Sequence, residues 1–192
     1  RDSGIDWFVY AKTALTASSE IYRVKRDLPR QAKHRNKEEK VLPHSVIIGL
    51  GQTGLSCARY LAKKGVDFAV ADTRFKPPML EQLEEEFPEL EIWLGPLDSE
   101  QLKEAQELVV SPGVAISEPA IAEAMHFGVS VVGDVELFAR ELASRERPEG
   151  QSAPDVIAIT GSNAKSTVTS LVGFMAEKAG INVGVGGNIG LP

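Results

Sequence analysis

Residues 45–54, SVIIGLGQTG, constrain the fold more than any other stretch, because a β-branched run enters a glycine loop that opens a helix reaching Lys64. Gly49, Gly51 and Gly54 hold the G-x-G-x-x-G spacing, in which missing side chains let the backbone turn tightly and approach a phosphate at the helix start. The glycines alone are a common pattern. A second apolar run at 66–71 narrows it by ending at Asp72, eighteen positions after Gly54, where a carboxylate can meet a ribose hydroxyl. A bland role for Asp72, as a turn or cap residue before Pro77 and Pro78, remains open. Together the two features predict the first βαβ unit of a Rossmann-like parallel sheet that binds a diphosphate and a ribose.

A second strand-loop-helix junction lies at 156–167, VIAITGSNAKST. Helix-start amides are unpaired donors and the macrodipole places positive potential there, so an anion is stabilised at this end. Lys165 in the first turn opposes that dipole unless an anion lies between them. Its pattern points to a nucleoside triphosphate loop, with Lys165 toward the phosphates and the Ser166 hydroxyl toward a phosphate-bound Mg2+. Two positions depart from G-x-x-x-x-G-K-[ST]: Ile159 stands at the first glycine and Ala164 at the second, leaving Gly161 as the permissive residue. A loop glycine often takes positive φ, where a Cβ costs about 1 kcal/mol or more. Weakened ATP affinity is therefore expected.

From residue 45 onward short strands and helices alternate, which argues for an α/β fold with a parallel sheet covered by helices. Strands are expected at 45–50, 66–71, 90–94, 107–111 and 129–132, with helices at 54–64, 78–87, 99–106, 117–127 and 134–144. Ser117 is the expected N-cap of the fourth helix, with Pro119 early in it and Gly128 closing it. Ser111-Pro112-Gly113 follows a strand at the edge where open α/β sheets bind ligands, although a plain turn explains it equally. The acidic run 84–86 reads as a solvated helix face.

The chain has 192 residues and 43% hydrophobic content, enough for one medium domain and part of another. Its single cysteine, Cys57, excludes a disulfide framework and reads as a small buried hydrophobe. His34, His44 and His126 have no partners at metal-ligand spacing, so a structural zinc site is not expected; His126 reads as a helix-end residue. No apolar run reaches membrane-spanning length and no signal-peptide pattern opens the chain, so a soluble cytoplasmic protein without membrane insertion is expected.

Charge divides the chain. Residues 1–43 carry ten Lys or Arg against six Asp or Glu, a net of +4, while the rest carries −10. This basic stretch has no regular amphipathic repeat and reads as a flexible extension, not a nucleic-acid-binding element. Residues 44–143 read as the Rossmann-like domain. Residues 144–154, polar and rich in Pro, Gly and Ser, read as a linker. Residues 155–192 then begin a P-loop-type α/β domain with a helix at 165–179 and a strand at 181–185, too short to close a sheet of ordinary domain size.

Several separated motifs follow one another in a fixed order: G-L-G-x-T-G-L-S at 49–56, D-T-R at 72–74, S-P-G at 111–113, G-D-x-E-L-F at 133–138, T-G-S-N-x-K-S-T at 160–167 and G-V-G-G-N-I-G-L-P at 184–192. In this order they resemble the Mur ligases, over residues 45–192 but not 1–43. Implied by the resemblance is a three-domain, monomeric cytoplasmic enzyme of peptidoglycan synthesis that uses ATP and Mg2+. Its nearest branch joins D-glutamate to UDP-N-acetylmuramoyl-L-alanine through an acyl phosphate. Gln52, Thr53, Asp72, Thr73, Arg74 and Gly113 match the family's uridine-nucleotide pocket, and Asn188 matches a residue contacting the same substrate. Gly161, Ser162, Asn163, Ala164, Lys165, Ser166 and Thr167 match the ATP loop, with Lys165 the catalytic residue. By the same resemblance the remaining metal ligands and the C-terminal domain lie past Pro192, so these 192 residues are not expected to ligate alone. A NAD-dependent oxidoreductase and a non-catalytic nucleotide-binding module remain the alternatives.

Overall fold

The computed structural model describes residues 7–11, 43–144, 154–187 and 189. In chain order the elements are β1 (Trp7–Ala11), β2 (Ser45–Ile48), α1 (Gln52–Lys63), β3 (Phe68–Asp72), α2 (Leu80–Glu86), β4 (Ile92–Leu94) and α3 (Ser99–Lys103). They continue with β5 (Glu107–Val110), α4 (Pro119–His126), β6 (Ser130–Val132), α5 (Asp134–Ser144), β7 (Asp155–Ile159), α6 (Lys165–Lys178) and β8 (Val183–Gly187). The described residues within 36–140 form one compact unit, and those within 1–35 and 141–192 form another.

The first unit is an α/β fold around a five-stranded sheet in the order β4-β3-β2-β5-β6, parallel throughout. The chain winds from β2 out through β3 to β4, then returns to β5 on the other side, so the winding reverses between β2 and β5. Successive strand residues serve opposite faces, as the pleat requires. Val46, Ile48, Ala69, Ala71, Leu108 and Val110 pack with Leu102 and Ala105 near α3 and with Ala120, Ile121 and Ala124 of α4. Ile47, Val70 and Val109 face the other way, against Leu55, Ala58 and Leu61 of α1, Leu83 of α2 and Leu137 of α5. Covering both faces explains why these strands read as continuous apolar runs. Cys57 lies buried in the second cluster.

All five expected strands of this unit form, each one or more residues shorter than its sequence pattern. One cap is corrected. Glu118, not Ser117, is the N-cap of α4, and its side chain makes no capping bond. Pro119 decides this, because its fixed φ suits the first helical position and sets the cap one residue before it. Gly128 follows the helix at φ 94°, as expected.

The second unit holds a three-stranded parallel sheet in the order β7-β1-β8. Its central strand comes from the stretch expected to be flexible. Trp7 pairs with Asp155 and Val183, and the register continues to Ala11 opposite Ile159 and Gly187. The sequence WFVYA is aromatic and β-branched, hence strand-prone, but its partners lie more than a hundred residues away and charge averaged over 1–43 conceals it. The expected linker, 144–154, falls almost wholly outside the described residues. Helix α6 turns Thr169, Gly173 and Ala176 inward, and a Cβ on Gly173 would lie 2.4 Å from Val185 Cγ2. Gly173 thus permits close contact between helix and β8.

Candidate functional site

The first candidate site is the carboxyl edge of the five-stranded sheet, where the loop from β2 to α1 is fixed from both sides. On one side the Gly49 amide donates to Ala71 O at 2.7 Å and the Leu50 amide donates to Asp72 Oδ2 at 2.7 Å. On the other, Ser111 Oγ donates to Gly49 O at 2.9 Å. Gly49 has φ 99°, and a Cβ there would meet Val114 Cγ2 at 3.0 Å and Ser111 Cβ at 3.1 Å. At Gly54 a Cβ would lie 2.0 Å from Gly49 O, so the helix start runs directly against the loop. Two of the three glycines are therefore steric necessities.

Helix α1 begins at Gln52 with Gly51 as N-cap, no side-chain cap and no acidic residue in its first turn. Its leading amides and positive dipole end are left for an anion. They lie at the winding reversal between β2 and β5, where open α/β sheets bind ligands. Gln52 and Thr53 occupy this start, while Gly113 is exposed in the loop after β5.

Asp72 closes the same edge. Its side chain is 2% exposed and accepts from the Leu50 amide, the Arg74 amide at 2.9 Å and the Arg74 guanidinium at 2.8 and 2.7 Å. Burial opposes ionisation, but the Arg74 guanidinium and the two backbone amides outweigh it and hold the carboxyl below its usual range. The carboxylate thus ties the glycine loop to Arg74, whose own side chain is 53% exposed. The spacing of Asp72 suits a ribose contact, and in the structure its oxygens accept from Leu50 and Arg74.

The second candidate site is the β7–α6 loop. Ala164 takes the left-handed conformation, φ 58° and ψ 8°, and is the one non-glycine residue with positive φ among the described residues. Gly161 has φ 153°. Lys165 folds over the loop, its Nζ donating to Gly161 O and, at 3.3 Å, to Ser162 O. Ser162, Asn163, Ala164, Ser166 and Thr167 are exposed around it. A loop of turned backbone with an ammonium above it and an exposed hydroxyl at Ser166 suits a polyphosphate and its metal. Among the described residues no group of three His, Cys, Asp or Glu could itself hold a metal ion, and no helix is long and apolar enough to cross a membrane.

Residues 43–133 match the Mur ligase MurD-like N-terminal domain. This segment is a MurD-like Mur ligase domain. UDP-N-acetylmuramoylalanine–D-glutamate ligase of Thiobacillus denitrificans is 53% identical over 152 residues, 77% of this chain and 32% of that protein. The ligase of the same name from Sodalis glossinidius is 56% identical over 147 residues, 77% of this chain and 31% of that protein. The chain thus spans about a third of the length of these curated relatives. Among solved structures, UDP-N-acetylmuramate:L-alanyl-gamma-D-glutamyl-meso-diaminopimelate ligase from Neisseria meningitides aligns over 79% of this chain and 46% of that one, at TM-score 0.46 and 23% identity. So slight a likeness adds nothing to the fold read from the sheet itself.

Of the residues singled out from sequence, Gln52, Thr53, Asp72, Thr73, Arg74 and Gly113 share the carboxyl edge of one sheet, and Gly161–Thr167 form one loop in the other unit. Asn188 lies outside the described residues. Sequence reasoning missed Ser111 as a holder of the glycine loop. Its position in Ser-Pro-Gly after a strand was visible, but a hydroxyl reaching a carbonyl 62 residues earlier leaves no local signal.

Proposed function

We propose that this chain is the uridine-nucleotide-binding part, with the ATP loop, of an ATP-dependent ligase that adds D-glutamate to UDP-N-acetylmuramoyl-L-alanine. The observation carrying this reading is the loop pinned between Asp72 and Ser111 at the winding reversal of a MurD-like domain. The α1 amides with Gln52 and Thr53 would take the diphosphate, and Thr73, Arg74 and Gly113 would line the nucleoside end. Asp72 fixes the loop and Arg74 from beneath.

In the second unit Gly161–Thr167 would surround the ATP phosphates, with the Lys165 ammonium against their charge and the Ser166 hydroxyl toward Mg2+. A metal held there would neutralise phosphate charge. The assigned chemistry is transfer of a phosphoryl group to the alanyl carboxylate, then attack of the D-glutamate amine on that acyl phosphate with loss of phosphate. Such a reaction demands alignment and charge neutralisation and no covalent protein nucleophile. The curated relatives named above bear the name of this activity, which supports extending it to a chain of this likeness.

Calorimetric titration of the purified chain with UDP-N-acetylmuramoyl-L-alanine, ATP and NAD tests the proposal. Binding of the UDP-sugar, with weaker ATP binding, is expected. Binding of NAD without the UDP-sugar would sink it in favour of a dinucleotide oxidoreductase.

A further inference from the structure

Phe75 is 71% exposed, the most exposed of the large hydrophobic side chains among the described residues. It follows β3 and Arg74 directly, and its ring rests on the backbone of Gly95, the residue after β4. A Cβ on Gly95 would lie 2.8 Å from Phe75 Cε1 and 2.9 Å from Cζ. A side chain there would push the ring aside, and Gly95 also has φ 102°, a conformation that side chains rarely adopt. Gly95 is itself fixed to the sheet edge, its amide donating to Asp72 O at 2.9 Å. The ring therefore sits on a bare glycine with most of its surface open to solvent.

We propose that Phe75 is a stacking platform for the pyrimidine base of the bound nucleotide, a role that rests on the uridine-nucleotide reading above. Along the carboxyl edge the order of strands is β4-β3-β2-β5, so Gly95 with Phe75, Asp72 with Arg74, and the glycine loop stand side by side. Neighbouring strands lie about 4.8 Å apart, which puts the β4 end roughly 10 Å from the β2 end. A diphosphate at the start of α1 carries its ribose across β3 and its base toward β4. There the flat ring offers a base a π-face, while Arg74, held by Asp72, presents charge and hydrogen bonds at its rim. Stacking demands no particular polar pattern, so Phe75 adds affinity for a planar base and leaves recognition of its edge to others.

Calorimetric titration of the 192-residue chain and its F75A and F75Y variants with UDP and, separately, inorganic pyrophosphate tests the role. F75A should bind UDP roughly five- to tenfold more weakly, the low end for losing an aromatic partner of a base, with pyrophosphate binding unchanged and F75Y close to wild type. Equal UDP affinity in wild type and F75A overturns the platform alone. Equal weakening toward UDP and pyrophosphate also overturns it, since the loss then lies in the loop and not in base contact. Absence of UDP binding by the wild-type chain overturns the nucleotide reading and the platform with it.

Discussion

The two units bind their sheets together in opposite ways. In residues 36–140 every strand pairs with one close in winding order, and Val46, Ile47, Ile48, Val70 and Leu108 are wholly buried between two layers of helices. In the other unit, β7 and β8 do not pair with each other; a strand from residues 7–11 joins them. There α6 leaves Leu171, Phe174 and Met175 more than half exposed. Burial of apolar surface is the main favourable term in folding, so the first unit is held by its core, while the second depends more on one strand, β1, paired on both of its sides.

The largest effect should come from breaking that pairing. Val9→Pro removes a ladder donor from the middle of a central strand, a position where proline is not accommodated. Hydrogen exchange should then lose protection across β7 and β8 while β2 and β5 keep theirs; unchanged protection in β7 would refute the description of this unit.

Next in size is Ile47→Ala, a deletion at a wholly buried site, expected to cost about 2–5 kcal/mol in urea unfolding of the first unit. The contrasting Leu171→Ala, at a residue 55% exposed, should stay within about 0.5 kcal/mol. Equal losses would erase the contrast between the units.

Acid should act on the first unit through Asp72. Its folded pKa is depressed, so its contribution is present above the unfolded value, about 3.9, and disappears as pH falls through the folded one. Asp72→Asn should lower the urea midpoint at pH 7 and flatten its dependence below about pH 4. A variant with the wild-type pH profile would show that the carboxylate is not the group being titrated.

The smallest effect concerns the loop of the second unit. Ala164→Gly removes a Cβ from a left-handed residue, which should stabilise the loop by about 1 kcal/mol and raise ATP affinity by up to about fivefold. A melting temperature and ATP affinity that both stay at wild-type values would remove the strain argument.

Where the physical signal was local, sequence was enough. Gly49 and Gly54 could be read because the turn and the helix start they permit lie within six residues of each other. Ala164 could be read as a strained position because the departure from glycine is visible in the motif, and its φ of 58° agrees. Strand runs of the first unit were legible because burial on both faces makes them uniformly apolar. Pro119 moved the α4 cap by one residue because backbone geometry, and not the preference of Ser117 for caps, set the boundary.

The sequence by itself determined the alternation of strands and helices, the two anion-facing loops and the glycines they need, since each depends on neighbours a few bonds away. Only the tertiary structure decided that residues 7–11 complete the second sheet, that Ser111 and Asp72 clamp the glycine loop, and that Phe75 lies open on Gly95. Those arrangements join residues 20 to 176 positions apart. Their partners are chosen by packing of the whole sheet, which no short stretch of chain encodes.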